Sequence, residues 1–150
     1  MKPRLLPSEF YKSCPRAAKH LVALGDTPVS VDLSLSLIHL VRLRASQLNH
    51  CGYCQWMHAK EARAAQEQQA RLDVLAAWRE VGGFSPHERA ALAWTEALTL
   101  LSQKDIPDAL YQDCLQVLGQ TALVELTMVI LQINSWNRIA VAFRFQPEVN

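Results

Sequence analysis

Apolar positions recur at helical intervals along most of the chain, and start and stop signals divide it into segments. Pro15 opens a first helix that stops at Gly25, with Arg16, Lys19 and His20 on its exposed side. Asp26 to Val31 reads as a turn. Asp32 then offers an N-cap to a second helix, whose apolar positions include Leu33, Leu37, Leu40, Val41 and Leu48. Asn49-His50 breaks that pattern, and a third helix runs from about Cys51 to Gln66. A short helix around Leu72 to Trp78 ends before Gly82-Gly83. Ser85-Pro86-His87-Glu88 holds a capping serine, a proline suited to the first helical position and a glutamate where a capping box needs it. The helix that follows buries Leu92, Trp94 and Leu98. Pro107 opens another, closed at Gly119, and Thr121 caps a long last helix through Leu126, Ile130, Ile133 and Ile139 to about Phe143. Strand signals are scarce, and no repeat, linker or low-complexity tract appears. The pattern predicts one all-α domain over residues 1–150, with its core at about 30–143.

At 150 residues the chain is long enough to bury a real core. A formal net charge of +1 with no basic run argues against nucleic-acid binding. No uncharged apolar stretch approaches the roughly 18 residues of a bilayer span, so no membrane partner is expected. The first ten residues lack the long apolar core of a signal peptide, and a cytoplasmic location is the expectation.

Of the four cysteines, Cys14 and Cys114 stand alone, and both read as small core or partly exposed hydrophobes. Cys51 and Cys54 form a C-x-x-C pair, which in a reducing compartment points to redox or metal chemistry. At about 100° per residue, Cys54 lies about 60° and His58 about 20° from Cys51, so both sulfurs and the imidazole share a face. Cys51 would stand at the helix start, where free N–H groups favour a thiolate, and His58 one turn beyond Cys54 is placed to exchange a proton. A structural zinc half-site, with His58 or His50 as third ligand, is the bland alternative. It lacks a second C-x-x-C or a His pair at the usual spacing. If the chain turns at Asn49-His50, His39 and His58 sit at similar heights on neighbouring helices. The four tryptophans read as packing residues, and Arg42 and Arg44 as a solvated face, with pairing to acids as the alternative. Asn134, Asn137 and Arg138 satisfy buried backbone or line a subunit contact.

The stretch Leu40-Val-Arg-Leu-Arg-Ala-Ser-Gln-Leu-Asn-His-Cys-Gly-Tyr-Cys-Gln-Trp-Met-His58 resembles the core motif of the carboxymuconolactone decarboxylase superfamily, in its alkylhydroperoxidase (AhpD)-like branch. Glu88-Arg-Ala-Ala-Leu-Ala-Trp-Thr-Glu-Ala-Leu98 and Ile133-Asn-Ser-Trp-Asn-Arg-Ile139 resemble it too. The resemblance implies an AhpD-like fold of about six or seven helices that assembles into trimers or hexamers. It further implies a hydroperoxide reductase in which Cys54 attacks the peroxide, Cys51 resolves the sulfenic acid as a disulfide and His58 belongs to a proton relay. A thiol or dithiol reductant would restore the pair. Neither a cofactor nor a resident metal is implied. Helix-end physics alone favours Cys51 as the more acidic sulfur, whereas the resemblance favours Cys54.

Two positions depart from the motif. His39 stands where the family carries a glutamate twelve residues before the first cysteine, and Tyr53 stands where the best-studied branch has a histidine. A histidine cannot supply negative charge to His58; it can relay a proton when neutral, or a carboxylate from elsewhere (Glu61, Glu88 or Glu96) can stand in. Two other functions remain open: a non-enzymatic redox sensor or oligomeric binding protein, and a cofactor-free decarboxylase, which has no need of the dithiol.

Overall fold

The helical punctuation is matched along most of the chain in a computed structural model that describes residues 1–26 and 30–149. In order, the elements are α1 (Pro7–Ser13), α2 (Pro15–Gly25), α3 (Leu35–Leu48), α4 (Gly52–Ala64), α5 (Gln69–Asp73), a 3₁₀-helix (Leu75–Glu80), α6 (Pro86–Thr99), α7 (Asp108–Leu118) and α8 (Gln120–Phe143). No strand occurs among the described residues. The expected turn from Asp26 to Val31 lies partly outside them. No single helix is long and apolar enough to cross a membrane.

Several boundaries differ from those expected, each for a local reason. Ser34, not Asp32, caps α3, because its hydroxyl reaches the Leu37 N–H at 3.2 Å. Gly119 rather than Thr121 precedes α8; its φ of 77° lets the chain turn by 113° between α7 and α8. The helix around Leu72 to Trp78 is two pieces, since Val74 and Ala77 leave helical geometry. An unexpected α1 is seeded by Pro7 at its first turn and by Glu9, whose carboxylate accepts from the Leu6 N–H at 2.7 Å. The capping box at Ser85 and Glu88 forms as read.

α3 and α8 are the core helices. One cluster joins Leu37, Ile38 and Val41 of α3 to Leu123, Leu126 and Ile130 of α8, with Ala91 and Trp94 of α6 and Leu118 of α7. A second packs Leu40 and Leu43 of α3 against Ala62, Leu75, Trp78 and Leu92. Each fully buried aliphatic side chain contributes about 1.5–3 kcal/mol, so these contacts fix α3 between α4, α6 and α8. Arg44, expected on a solvated face, instead meets Glu96 at 2.8 Å, and Glu96 also accepts from Trp78 Nε1 at 2.8 Å and from Arg79.

A third, aromatic cluster encloses the cysteines. Cys51, Cys54, Ala140 and Phe145 are its buried members, with Phe10, Tyr53, Ile139 and Phe143 packed against them. The N-terminal segment is tied to this end of α8 by the Arg4 N–H donating to the Phe143 carbonyl at 2.9 Å. Helix α1 thereby becomes a wall of the site.

Candidate active site at the start of helix α4

The α3–α4 connection sets the cysteines in place. His50 adopts a φ of 53°, which reverses the chain, and the Cys51 N–H then donates to the Ser46 carbonyl at 3.0 Å. A buried polar network braces this turn from α8. Asn49 Nδ2 donates to Asn134 Oδ1 and Asn137 Oδ1, both at 2.9 Å, and Asn137 Nδ2 donates to Ser46 Oγ at 3.0 Å. Asn134 in turn donates to Thr99 of α6. These asparagines therefore satisfy one another and the turn, which accounts for polar residues in an apolar helix.

Cys51 caps α4 and accepts from the Cys54 N–H at 3.2 Å. The two sulfurs are joined as a disulfide, with Cα atoms 5.3 Å apart, and both residues are buried. Cys14 is exposed, whereas Cys114 is buried, and burial pushes its thiol up to about 11.

His58 and His39 are both buried, and both imidazoles meet one carboxylate. Glu61 Oε2 lies 2.7 Å from His58 Nδ1 and 3.7 Å from His39 Nδ1. The hydrogen bond with His58 holds the Glu61 carboxyl below the usual carboxylate range, helped by His39 and Arg42. Burial also lowers the pKa of His39, favouring its neutral form, with Arg42 and His58 adding to that effect against Glu61. Two buried nitrogens, His39 Nδ1 and His58 Nε2, have no hydrogen-bond partner. Of the other two carboxylates considered from the sequence, Glu88 pairs with Arg71 and Glu96 with Arg44 and Arg79.

Cys54, His58 and Glu61 line a cavity of about 210 Å³. Tyr11 of α1, Tyr53 and Met57 of α4, Trp136 of α8 and Phe145 give it a largely apolar wall. Arg42 is its one described cation, half-buried rather than solvated as expected. Its Nη2 donates to Gln132 Oε1 at 3.2 Å, and Gln132 is anchored on the Leu21 carbonyl of α2 at 3.0 Å. A Cβ at Gly25 would run into the Gln132 amide, so any larger residue there would have to displace that side chain. Cys51 opens onto a separate cavity of about 220 Å³, beside His50, Gly52 and Arg144.

Residues 15–97 match the carboxymuconolactone decarboxylase family. The chain belongs to that family. It is 35% identical over 133 residues to the uncharacterized protein YdfG of Bacillus subtilis (strain 168), covering 89% of this chain and 90% of that protein. A crystal structure of a protein of unknown function from Agrobacterium tumefaciens, provisionally named as the antioxidant defence protein AhpD, superposes with a TM-score of 0.90. That chain is 35% identical, and the match covers 99% of this chain and all of the other (100%). The fold is shared with an uncharacterized peroxidase-related protein from Silicibacter sp. TM1040, with a TM-score of 0.78 at 19% identity, over 94% of this chain and 73% of that one. For this member of the carboxymuconolactone decarboxylase family, the structure brings together Cys51, Cys54, His58 and His39, the residues singled out from the sequence. Of the three carboxylates weighed from the sequence, Glu61 is the one that meets the histidines. Arg42, Gln132, Tyr11, Trp136 and Phe145 of the cavity wall were not foreseen as site residues.

Proposed function

We propose that this protein is a thiol-dependent hydroperoxide reductase working through the Cys51–Cys54 pair. The observation that carries this reading is Cys54 and His58 on one cavity wall, with Glu61 2.7 Å behind His58. With Glu61 ionised, His58 Nδ1 carries the proton and donates it in that hydrogen bond, leaving the Nε2 lone pair to deprotonate the Cys54 thiol. The thiolate attacks the terminal peroxide oxygen, the O–O bond breaks, and the alcohol leaves with the proton held by His58. Cys51 then displaces water from the Cys54 sulfenic acid and closes the disulfide, ahead of irreversible oxidation. Two electrons from the dithiol thus reduce one hydroperoxide to alcohol and water.

An external thiol or dithiol returns the pair by attacking Cys51, whose side of the bond faces the second cavity, so peroxide and reductant approach from different directions. The apolar wall suits an organic hydroperoxide. Tyr53, packed on Phe145 with ring centres 5.6 Å apart, serves as wall rather than base, since burial raises its phenol above the ordinary range. Exposed Val124, Leu131 and Val141 along α8 support assembly as a homo-oligomer, trimer or hexamer, and a reducing cytoplasm fits a dithiol that must be regenerated. Sulfenic-acid trapping after a hydroperoxide pulse tests the assignment of sulfurs. Cys51→Ser should accumulate the trapped adduct on Cys54, and Cys54→Ser should accumulate none; an adduct on Cys51 alone reverses the roles.

A further inference from the structure

The hydrogen bond between His58 and Glu61 does not use the third member of the group. His39 Nδ1 is buried, points at the same carboxylate from α3 and has no hydrogen-bond partner. An orphaned buried nitrogen costs free energy unless something fills its lone pair or takes its proton. The donor atoms of His39, His58 and Glu61 all lie within 4.8 Å of one another. Donors bound about 2.1 Å from a common ion stand roughly 3.0–3.4 Å apart, and the observed separations from Glu61 of 2.7 Å and 3.7 Å bracket that range.

We infer that His39, His58 and Glu61 form a binding site for a first-row divalent transition metal of the zinc type. Two imidazoles and one carboxylate suit such a borderline ion better than magnesium or calcium, which take oxygen ligands. Both histidines bind through Nδ1 and the His58 proton moves to Nε2, so the metal-bound form of His58 and the form that deprotonates Cys54 exclude each other. Burial favours the neutral form of His39, which is the form a ligand needs. The three side chains sit on two helices whose joining turn is braced by Ser46, Asn49 and Asn137, so little reordering is needed. His58 and Glu61 also line the main cavity, which leaves coordination positions open to water or a small ligand. Asp26 and Arg42 on that wall carry opposite charges, so Glu61 supplies the net anionic ligand. The cysteines take no part, which separates this site from a zinc half-site on the C-x-x-C pair.

The site does not depend on the peroxidase reading, and the test separates the two. Metal-free reduced protein is titrated with Co(II), followed by its visible d–d bands, and with Zn(II) by calorimetry. The expected result is one equivalent bound with no thiolate-to-cobalt charge-transfer band. Binding should be kept in the Cys51→Ser/Cys54→Ser double variant, which cannot form the disulfide. His39→Gln and Glu61→Gln, each checked for native circular dichroism, should weaken it by about tenfold or more. Absence of a stoichiometric site in the wild type overturns the inference. So does a site lost in the double cysteine variant and kept in His39→Gln.

Discussion

His58 Nδ1 and Glu61 Oε2, three residues apart on one helix, stand 2.7 Å from each other, and the carboxylate reaches His39 on the neighbouring helix at 3.7 Å. Glu61 thus supplies from α4 the negative charge that His39 does not, and in the proposed mechanism it takes the place of the carboxylate that the resemblance sets at His39.

Removing that charge should slow thiol oxidation while leaving the fold intact. Glu61→Gln keeps the size of the side chain but no longer stabilises protonated His58 or sets its tautomer. A loss of about tenfold to a hundredfold in the rate constant for hydroperoxide oxidation is expected, read by stopped flow at neutral pH. A rate equal to wild type would remove Glu61 from the relay.

The buried His39 should make the fold sensitive to mild acid. Its folded pKa is depressed by burial, so below its unfolded value of about 6.5 the unfolded chain binds the extra proton. Its stability contribution is therefore present above that pH and is lost as pH falls toward the folded pKa. Glu61 is also depressed, but its contribution is lost only at lower pH, as the carboxyl protonates. Urea midpoints at pH 7.5 and pH 5.5 should fall further for wild type than for His39→Gln, and equal slopes would contradict the assignment.

Asn137 is wholly buried and holds the turn that precedes Cys51 through Ser46 and Asn49. Asn137→Ala leaves those partners short of hydrogen bonds and should destabilise the protein by about 1–3 kcal/mol in urea unfolding. Asn137→Asp should not restore it, since an aspartate in place of the amide donates nothing to Ser46.

Much of this site was legible because it is local. The spacing of Cys51, Cys54 and His58 fixes one helical face, and the break at Asn49-His50 sets His39 beside His58. Glu61 carried the same signal, since it follows His58 by three residues on that face, but Glu88 and Glu96 competed with it until their arginine partners were visible. Arg42 was misread because charge in a helix ordinarily marks a solvated side. Here Gln132 of α8 covers it, and a contact ninety residues away leaves no local trace. Helix α1 was missed because its N-cap is a leucine, with only the glutamate half of the capping box present.

The two remaining thiols offer an internal control. Cys14 is exposed, while burial raises the Cys114 thiol to about 11. Alkylation of the folded, oxidised protein at pH 8 should label Cys14 and spare Cys114 until denaturant is added. Prompt labelling of both would mean that the α6–α7 packing around Cys114 opens readily.

The most direct test of the account is to treat the reduced protein with one equivalent of an organic hydroperoxide and follow free thiols by mass. The account predicts rapid loss of two thiols into a Cys51–Cys54 disulfide, one alcohol formed per disulfide, and recovery with a dithiol. Hydroperoxide left unconsumed while both thiols stay reduced would contradict it.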